Sequence, residues 1–325
     1  MSREKVVLAT AFLALALVFA ANQPADAAQP PPQSLAWLGC PDSCGNLTNI
    51  PYPFGIGPGC FLDPWYEIDC QQTLGISTPV LKNLSVVVLD ISLPQNSYSP
   101  GRITISQPIL YSHPNCMTNR QNDTPVDLTG RNGIFRYALD RNSFVAGGCD
   151  NQALMVINDT PRKVVGCASS CGGEGTLGLD QCSNGTSCCV ASTIDDIGKY
   201  RVEFQTFKGK DIAQEDKTCR YAFLVKHPWL YKADLNSLPS HVPVVLEWAI
   251  TQHEEQLLSK QSNWRANGSS GSCHRDVKPR LHNLLYCSCN QGYRGNCFLP
   301  NGCQGEFRIS TLTLHLSPYS SSKIK

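Results

Sequence analysis

Between Ser34 and Leu81 the chain contains no lysine and no arginine; its four charged residues there, Asp42, Asp63, Glu67 and Asp69, are all acidic. Charge is scarce elsewhere too. Charged residues make up 16% of the sequence, 27 basic against 26 acidic. A nucleic-acid partner needs a clustered basic surface that releases counterions, so the composition excludes that class. With 42% hydrophobic residues, the low charge also argues against a disordered chain. Beyond residue 21 no apolar run approaches the roughly 20 residues that a membrane helix needs. The stretch after Arg308 alternates apolar with polar residues and reads as an irregular tail over 305–325. No G-x-S-x-G or H-E-x-x-H motif occurs, and the seven histidines show no ligand spacing. A glycoside hydrolase needs two carboxylates across a cleft, and nothing in the sequence points to such a pair. Gly173–Gly178 satisfies G-x-G-x-x-G. It lies in a loop between Cys171 and Cys182 without the flanking strand and helix that a dinucleotide site requires. These absences lead us to expect neither an enzyme nor a resident cofactor or metal.

What the chain has is cysteine. All seventeen lie downstream of an N-terminal segment with Arg3, Lys5, the apolar run Val6–Ala21 and the small-x-small site Ala25-Asp26-Ala27. That order of charge, apolar core and cleavage site predicts a secretory signal over 1–27, the run being short for a retained anchor. Gln29–Pro32 then reads as a linker. In an exported protein the cysteines pair rather than bind metal. Six Asn-x-Ser/Thr sequons, at Asn46, Asn83, Asn122, Asn158, Asn184 and Asn267, fit a glycosylated surface. The fold class expected is mainly β, built of small disulfide-rich modules, with antiparallel strands, loops and little helix.

The cysteines fall into three clusters, and the segments around them read as modules. In the first, 36–108, Cys40, Cys44, Cys60 and Cys70 allow three pairings. Pro51, Pro53, Gly55, Gly57, Pro58 and Gly59 forbid a helix between them. The stretches 84–93 and 102–110 are β-branched and predict a strand pair across Pro94–Gly101. The second module, 109–250, holds Cys116, Cys149, Cys167, Cys171, Cys182, Cys188, Cys189 and Cys219. The vicinal pair Cys188–Cys189 is expected to join one strand to two different partners, because neighbouring cysteines rarely bond each other. Strands are predicted at 198–207, 221–226 and 242–250. The third, 251–304, opens with a helical stretch at 254–265 and a Gly/Ser linker, then carries Cys273, Cys287, Cys289, Cys297 and Cys303. Seventeen is an odd number, so one cysteine is left over.

The string CGNLTNIPYPFGIGPGC, followed by an aromatic-acidic segment and Cys70, resembles the galacturonan-binding domain of plant wall-associated receptor kinases. The blocks GCASSC, CSNGTSCC and CRYAFLV resemble the cysteine-rich region associated with it, and Tyr286–Cys289 with Gly292, Tyr293 and Cys303 resembles a partial epidermal-growth-factor-like module. By that analogy Cys273 pairs with Cys287 and Cys289 with Cys303, and Cys297, which stands where that module has a proline, is the unpaired candidate. The membrane helix and kinase of such receptors are absent, so the chain reads as a secreted relative or a truncated receptor product in the extracellular space or cell wall.

The resemblance implies binding of acidic pectin, yet the first segment is itself acidic and repels a polyanion. Two routes offset that repulsion. Calcium bridges protein and sugar carboxylates, with Asp63 and Glu67 as candidates. Alternatively, Tyr52, Phe54, Trp65 and Tyr66 offer aromatic faces to the sugar. These aromatics equally fit the interior of a small disulfide domain. The basic concentrations at Arg162-Lys163, Lys208/Lys210 and Arg275/Lys278/Arg280 read as solvated faces. The alternative function is a module that binds receptor ectodomains or apoplastic peptides.

Overall fold

The structure, a computed structural model, describes residues 34–113, 116, 124–130, 133–138, 140–157, 163–170, 182, 188–192, 197–206, 218–230, 232, 238–261, 264, 268, 270–276 and 283–305. The signal, the G-x-G-x-x-G stretch, Cys171, Asn122, Asn158, Asn184, Asn267, Lys208/Lys210 and the tail lie outside them.

Strands dominate. The first four are β1 (Ile68–Thr73), β2 (Ile76–Leu81), β3 (Val86–Ser92) and β4 (Gly101–Pro108). Next come β5 (Leu110–Tyr111), β6 (Phe135–Tyr137), β7 (Asn142–Gly147), β8 (Asn151–Ile157), β9 (Lys163–Ser169), β10 (Cys188–Ser192), β11 (Arg201–Gln205) and β12 (Tyr221–Lys226). The last are β13 (His241–Trp248), β14 (Ile250–Thr251), β15 (Gly271–Arg275), β16 (Leu284–Cys289), β17 (Tyr293–Gly295) and β18 (Cys303–Gly305). Among the described residues the helical elements with full bounds are α1 (His227–Leu230), α2 (Gln252–Ser259) and the 3-10 turns Pro64–Tyr66 and Lys82–Leu84. The α2 start is fixed by a capping box, in which the Thr251 hydroxyl accepts from the His253 N–H and Glu254 Oε2 accepts from the Thr251 N–H at 2.8 Å.

All strand pairs are antiparallel. The largest sheet has the order β1-β2-β3-β4-β13-β6, and a second has β10-β7-β12-β5. Two three-stranded sheets, β11-β8-β9 and β14-β16-β15, and the β17-β18 hairpin complete the set. Alternation explains the register. In β4 and β13 the buried residues Ile103, Ile105, Val244 and Leu246 point one way, and the strands pair from His241↔Pro108 to Trp248↔Gly101.

That pairing changes the modular picture. The expected boundary at 108 runs between two strands of one sheet, and the described residues from Ser34 onward form one compact unit. Its aromatic centre draws on all three cysteine-bearing segments. Phe54 meets Tyr66 edge-on at 5.3 Å and Trp248 at 5.1 Å; Phe135 and Phe298 close the cluster. Gly101 belongs to this centre, since a Cβ there would lie 2.2 Å from the Trp248 indole.

Seven disulfides join described residues: Cys40–Cys60, Cys44–Cys70, Cys116–Cys219, Cys167–Cys189, Cys182–Cys188, Cys273–Cys287 and Cys289–Cys303. Cys149 is also disulfide-bonded. The first segment thus uses the interleaved pairing of the three that four cysteines permit, and β10 is tied through its vicinal cysteines to two separate partners. Each bridge contributes about 2–4 kcal/mol by restricting the unfolded chain. Cys297 carries a free thiol. It is half-exposed as a residue, but burial pushes its thiol well above the ordinary range.

Candidate functional site

The Cys40–Cys70 segment has an inner and an outer side, and they differ in kind. Tyr52, Phe54 and Tyr66 all face inward. Tyr52 packs on Trp37 at 4.9 Å, accepts a hydrogen bond from Gln261 Nε2 at 3.0 Å, and burial holds its hydroxyl up to about 12. The Tyr66 hydroxyl donates to the Ala249 carbonyl at 2.8 Å. A sugar stacks only on an exposed ring face, so these three rings have none to give; Phe54 and Tyr66 form the seam between the segment and the Trp248 end of β13, while Tyr52 packs on Trp37 and Gln261. Asp63 is buried as well. Its Oδ1 accepts from the Trp65 N–H at 3.1 Å and starts the 3-10 turn Pro64–Tyr66, which removes it as a free cation ligand.

Trp65 and Glu67 remain on the outer side. Trp65 is half-buried against the loop that carries Gly130; a Cβ on Gly130 would come within 2.4 Å of the ring. Glu67 accepts from Lys82 Nζ at 2.7 Å, a bond that raises the Lys82 ammonium above its usual range. Asn83 Nδ2 donates to the Pro64 carbonyl at 2.8 Å and ties the strand connection to the Trp65 turn. Both described sequon asparagines, Asn46 and Asn83, are exposed. Among the described residues, no group of three His, Cys, Asp or Glu converges as a metal site.

Beside Asn83 an open groove of about 490 Å3 runs between β3, β4 and the 124–127 loop, with His241 at one end. Its origin is a change of partners. A bulge between Val88 and Asp90 shifts the β3–β4 register, and beyond Val88 strand β3 pairs with β2 through Val86 and Val87 instead. Ser106 and Pro108 of β4 continue along β13 alone, so the two strands part and leave a trough.

The facing loop is held from below. The Tyr137 hydroxyl lies 2.8 Å from Gln107 Oε1 and 2.9 Å from the Val126 carbonyl, and Gln107 Nε2 donates to the Tyr200 hydroxyl at 2.7 Å. Burial keeps Tyr137 and Tyr200 protonated, so the brace does not titrate in the ordinary range. Asp127 accepts from Lys199 Nζ and from the Thr129 hydroxyl and N–H. The Lys199 bond foremost, with those from Thr129, holds its carboxyl down to about 2. The groove is therefore lined by aliphatic side chains together with Asn83, Ser85, Ser106, Thr124, His241 and the Asp127 carboxylate, which Lys199 pairs. Its residues Asp127 and His241 come from distant segments, and no local sequence signal marks them.

Residues 40–106 match the family model described as wall-associated receptor kinase galacturonan-binding. The range includes Trp65, Lys82, Asn83 and the β3 and β4 walls of the groove. The chain is a relative of the wall-associated receptor kinases. Wall-associated receptor kinase-like 3 of Arabidopsis thaliana is 30% identical over 300 residues, covering 84% of this chain and 39% of that protein. Wall-associated receptor kinase-like 1 of the same plant is 30% identical over 279 residues, 82% and 34% of the two chains, and wall-associated receptor kinase 2 is 27% identical over 274 residues, again 82% and 34%. The chain spans less than two fifths of the length of these relatives. No solved structure matches it. Among the described residues of this wall-associated-kinase relative, no helix is long and apolar enough to cross a membrane.

Proposed function

We propose that the chain is an extracellular binding protein for pectic galacturonan, the acidic polysaccharide of the plant cell wall, and that it acts by binding rather than catalysis. The observation that carries this reading is the match of residues 40–106 to the galacturonan-binding family model. The outer face of that range supports it. Trp65 offers a half-exposed ring that packs on Gly130, and a polar and aliphatic groove of about 490 Å3 is lined in part by Asn83. Sugar recognition commonly combines such an apolar platform with hydroxyl-directed donors and acceptors.

Calcium bridging remains a route to the acidic polymer, with the polysaccharide supplying most of the oxygen ligands and exposed Asp42 or half-exposed Asp69 the rest. Secretion and glycosylation at exposed Asn46 complete the reading. Co-sedimentation of the purified protein with insoluble galacturonan, with calcium and with chelator, tests it. Retention of the protein is the expected result, and failure to sediment in every condition contradicts it.

A second reading draws on one feature. Leu74 is fully exposed and Ile76 68% exposed at the β1–β2 turn, beside the edge strand β1. An apolar tip on a sheet edge fits a protein partner such as a receptor ectodomain or an apoplastic peptide. Leu74→Asp separates the two readings, because it leaves pectin binding unchanged while abolishing a protein contact made there.

A further inference from the structure

We propose that the connection between β3 and β4 carries a second saccharide site, an aromatic platform at Tyr98 that takes a neutral hexose chain of the β-1,4-glucan type. The connection, residues 93–100, lies at the opposite end of β3 and β4 from the groove. Tyr98 is 76% exposed, and its ring stacks on the imidazole of His274 in β15, with centroids 4.5 Å apart and planes 22° apart. The imidazole covers one face of the ring and leaves the other as a flat shelf.

The shelf is fixed from beneath. Ser97 is buried, and its hydroxyl lies 2.8 Å from Ser272 Oγ and 3.2 Å from Ser288 Oγ; Ser272 in turn donates to Asn290 Oδ1 at 2.8 Å. Ser272 and His274 share one face of β15 by strand alternation, so one strand holds both Ser97 and the ring beside it. Asn96 Oδ1 accepts from the Tyr98 N–H at 3.0 Å, and the Asn96 carbonyl accepts from the Ser99 N–H at 3.2 Å, closing a turn between Pro94 and Pro100. A large ring held this way in solvent has already lost the freedom that binding would otherwise cost.

Charge selects the ligand. Residues 91–101 contain no charged side chain. The arginines of the flanking strands are engaged, Arg102 with Asp140 at 3.6 Å and Arg275 with Glu255 at 4.0 Å, and His274 lies beneath the ring. A polyanion laid on the shelf would lose hydration and find no free counter-charge. The polar groups at the platform are amides. Gln95 and Asn96 are both exposed, and Asn96 Nδ2 has no partner among the described residues. An aromatic face beside amides suits a neutral pyranose, whose C–H face packs on the ring while its hydroxyls pair with the amides. A β-1,4-glucan, with its ring substituents equatorial, presents the flattest such face.

The test is equilibrium dialysis of the whole chain against cellohexaose, with oligogalacturonide as the acidic comparison. Saturable binding of cellohexaose at millimolar concentration is expected, weakened about three- to tenfold by Tyr98→Ala and unchanged by Tyr98→Phe, which keeps the ring. His274→Ala frees the ring and is expected to weaken binding about two- to threefold, and His274→Phe, which rebuilds the stack, to restore it. Oligogalacturonide binding is expected to be the same in Tyr98→Ala as in wild type. Failure of the wild type to bind cellohexaose, or binding untouched by Tyr98→Ala, overturns the inference and leaves the galacturonan reading standing. Loss of oligogalacturonide binding in Tyr98→Ala overturns the assignment to a neutral chain. An unaltered affinity in His274→Ala overturns the preorganised shelf.

Discussion

Trp65 and Tyr66 are neighbours in sequence and opposites in the fold. Tyr66 is fully buried and hydrogen-bonded to the backbone just after β13; Trp65 stays half-exposed on the loop around Gly130. The same division holds for the whole Cys40–Cys70 segment. Its inner side works as a wedge: Phe54 and Tyr66 fasten the segment to Trp248, and Tyr52 fastens it to Gln261. Its outer side, with Trp65, Glu67, Lys82 and Asn83, adjoins the groove. An aromatic-rich, disulfide-bound motif in a binding domain is thus divided into fastening residues and contact residues, and residue type does not tell which is which.

Substitutions on the two sides break this comparison in different ways. Phe54→Ala is expected to cost about 3–5 kcal/mol of stability, read as a fall in the denaturant midpoint, because it empties the centre of the aromatic cluster. Trp65→Ala is expected to cost only about 1–2 kcal/mol of stability while weakening galacturonan binding about tenfold or more, read from equilibrium isotherms. Equal losses of stability in the two variants would erase the distinction between the sides. Tyr66→Phe keeps the ring and removes the hydroxyl donated to Ala249, so about 1 kcal/mol of stability is lost with binding unchanged.

The smallest effect concerns Asp127. Its carboxyl is depressed to about 2 in the folded protein against about 3.9 unfolded. Its contribution is therefore complete above the unfolded value and disappears as pH falls toward 2. Asp127 and Lys199 are both well exposed, so water screens the pair and the contribution is below about 1 kcal/mol. In acid titrations, Asp127→Asn is expected to be slightly less stable than wild type at pH 5 and indistinguishable near pH 2.

Much of the scaffold was legible in the sequence. The β-branched runs at 84–93, 102–110, 221–226 and 242–250 correspond to β3, β4, β12 and β13, because strand alternation is a local property. The helix expected at 254–265 starts two residues earlier and ends at Ser259, where the Thr251 capping box rather than periodicity sets its start. The inner aromatics were not separable from the outer one. In a stretch broken by Pro51, Pro53, Gly55 and Gly57 no periodicity reports burial, and the residues that meet them, Trp248 for Phe54 and Tyr66 and Gln261 for Tyr52, lie far downstream. The groove was illegible for the same reason. Ser106, Asp127 and His241 meet only because β4 pairs with β13 across more than a hundred residues.

The most direct test of this account is amide hydrogen exchange on the intact protein, with and without saturating oligogalacturonide. Added protection confined to the Trp65 turn, residues 83–87, 106–108 and 124–127, and the start of β13 is the predicted result. Protection at the β1–β2 turn instead, or no change anywhere under conditions where the oligosaccharide saturates a binding protein of this class, would contradict it.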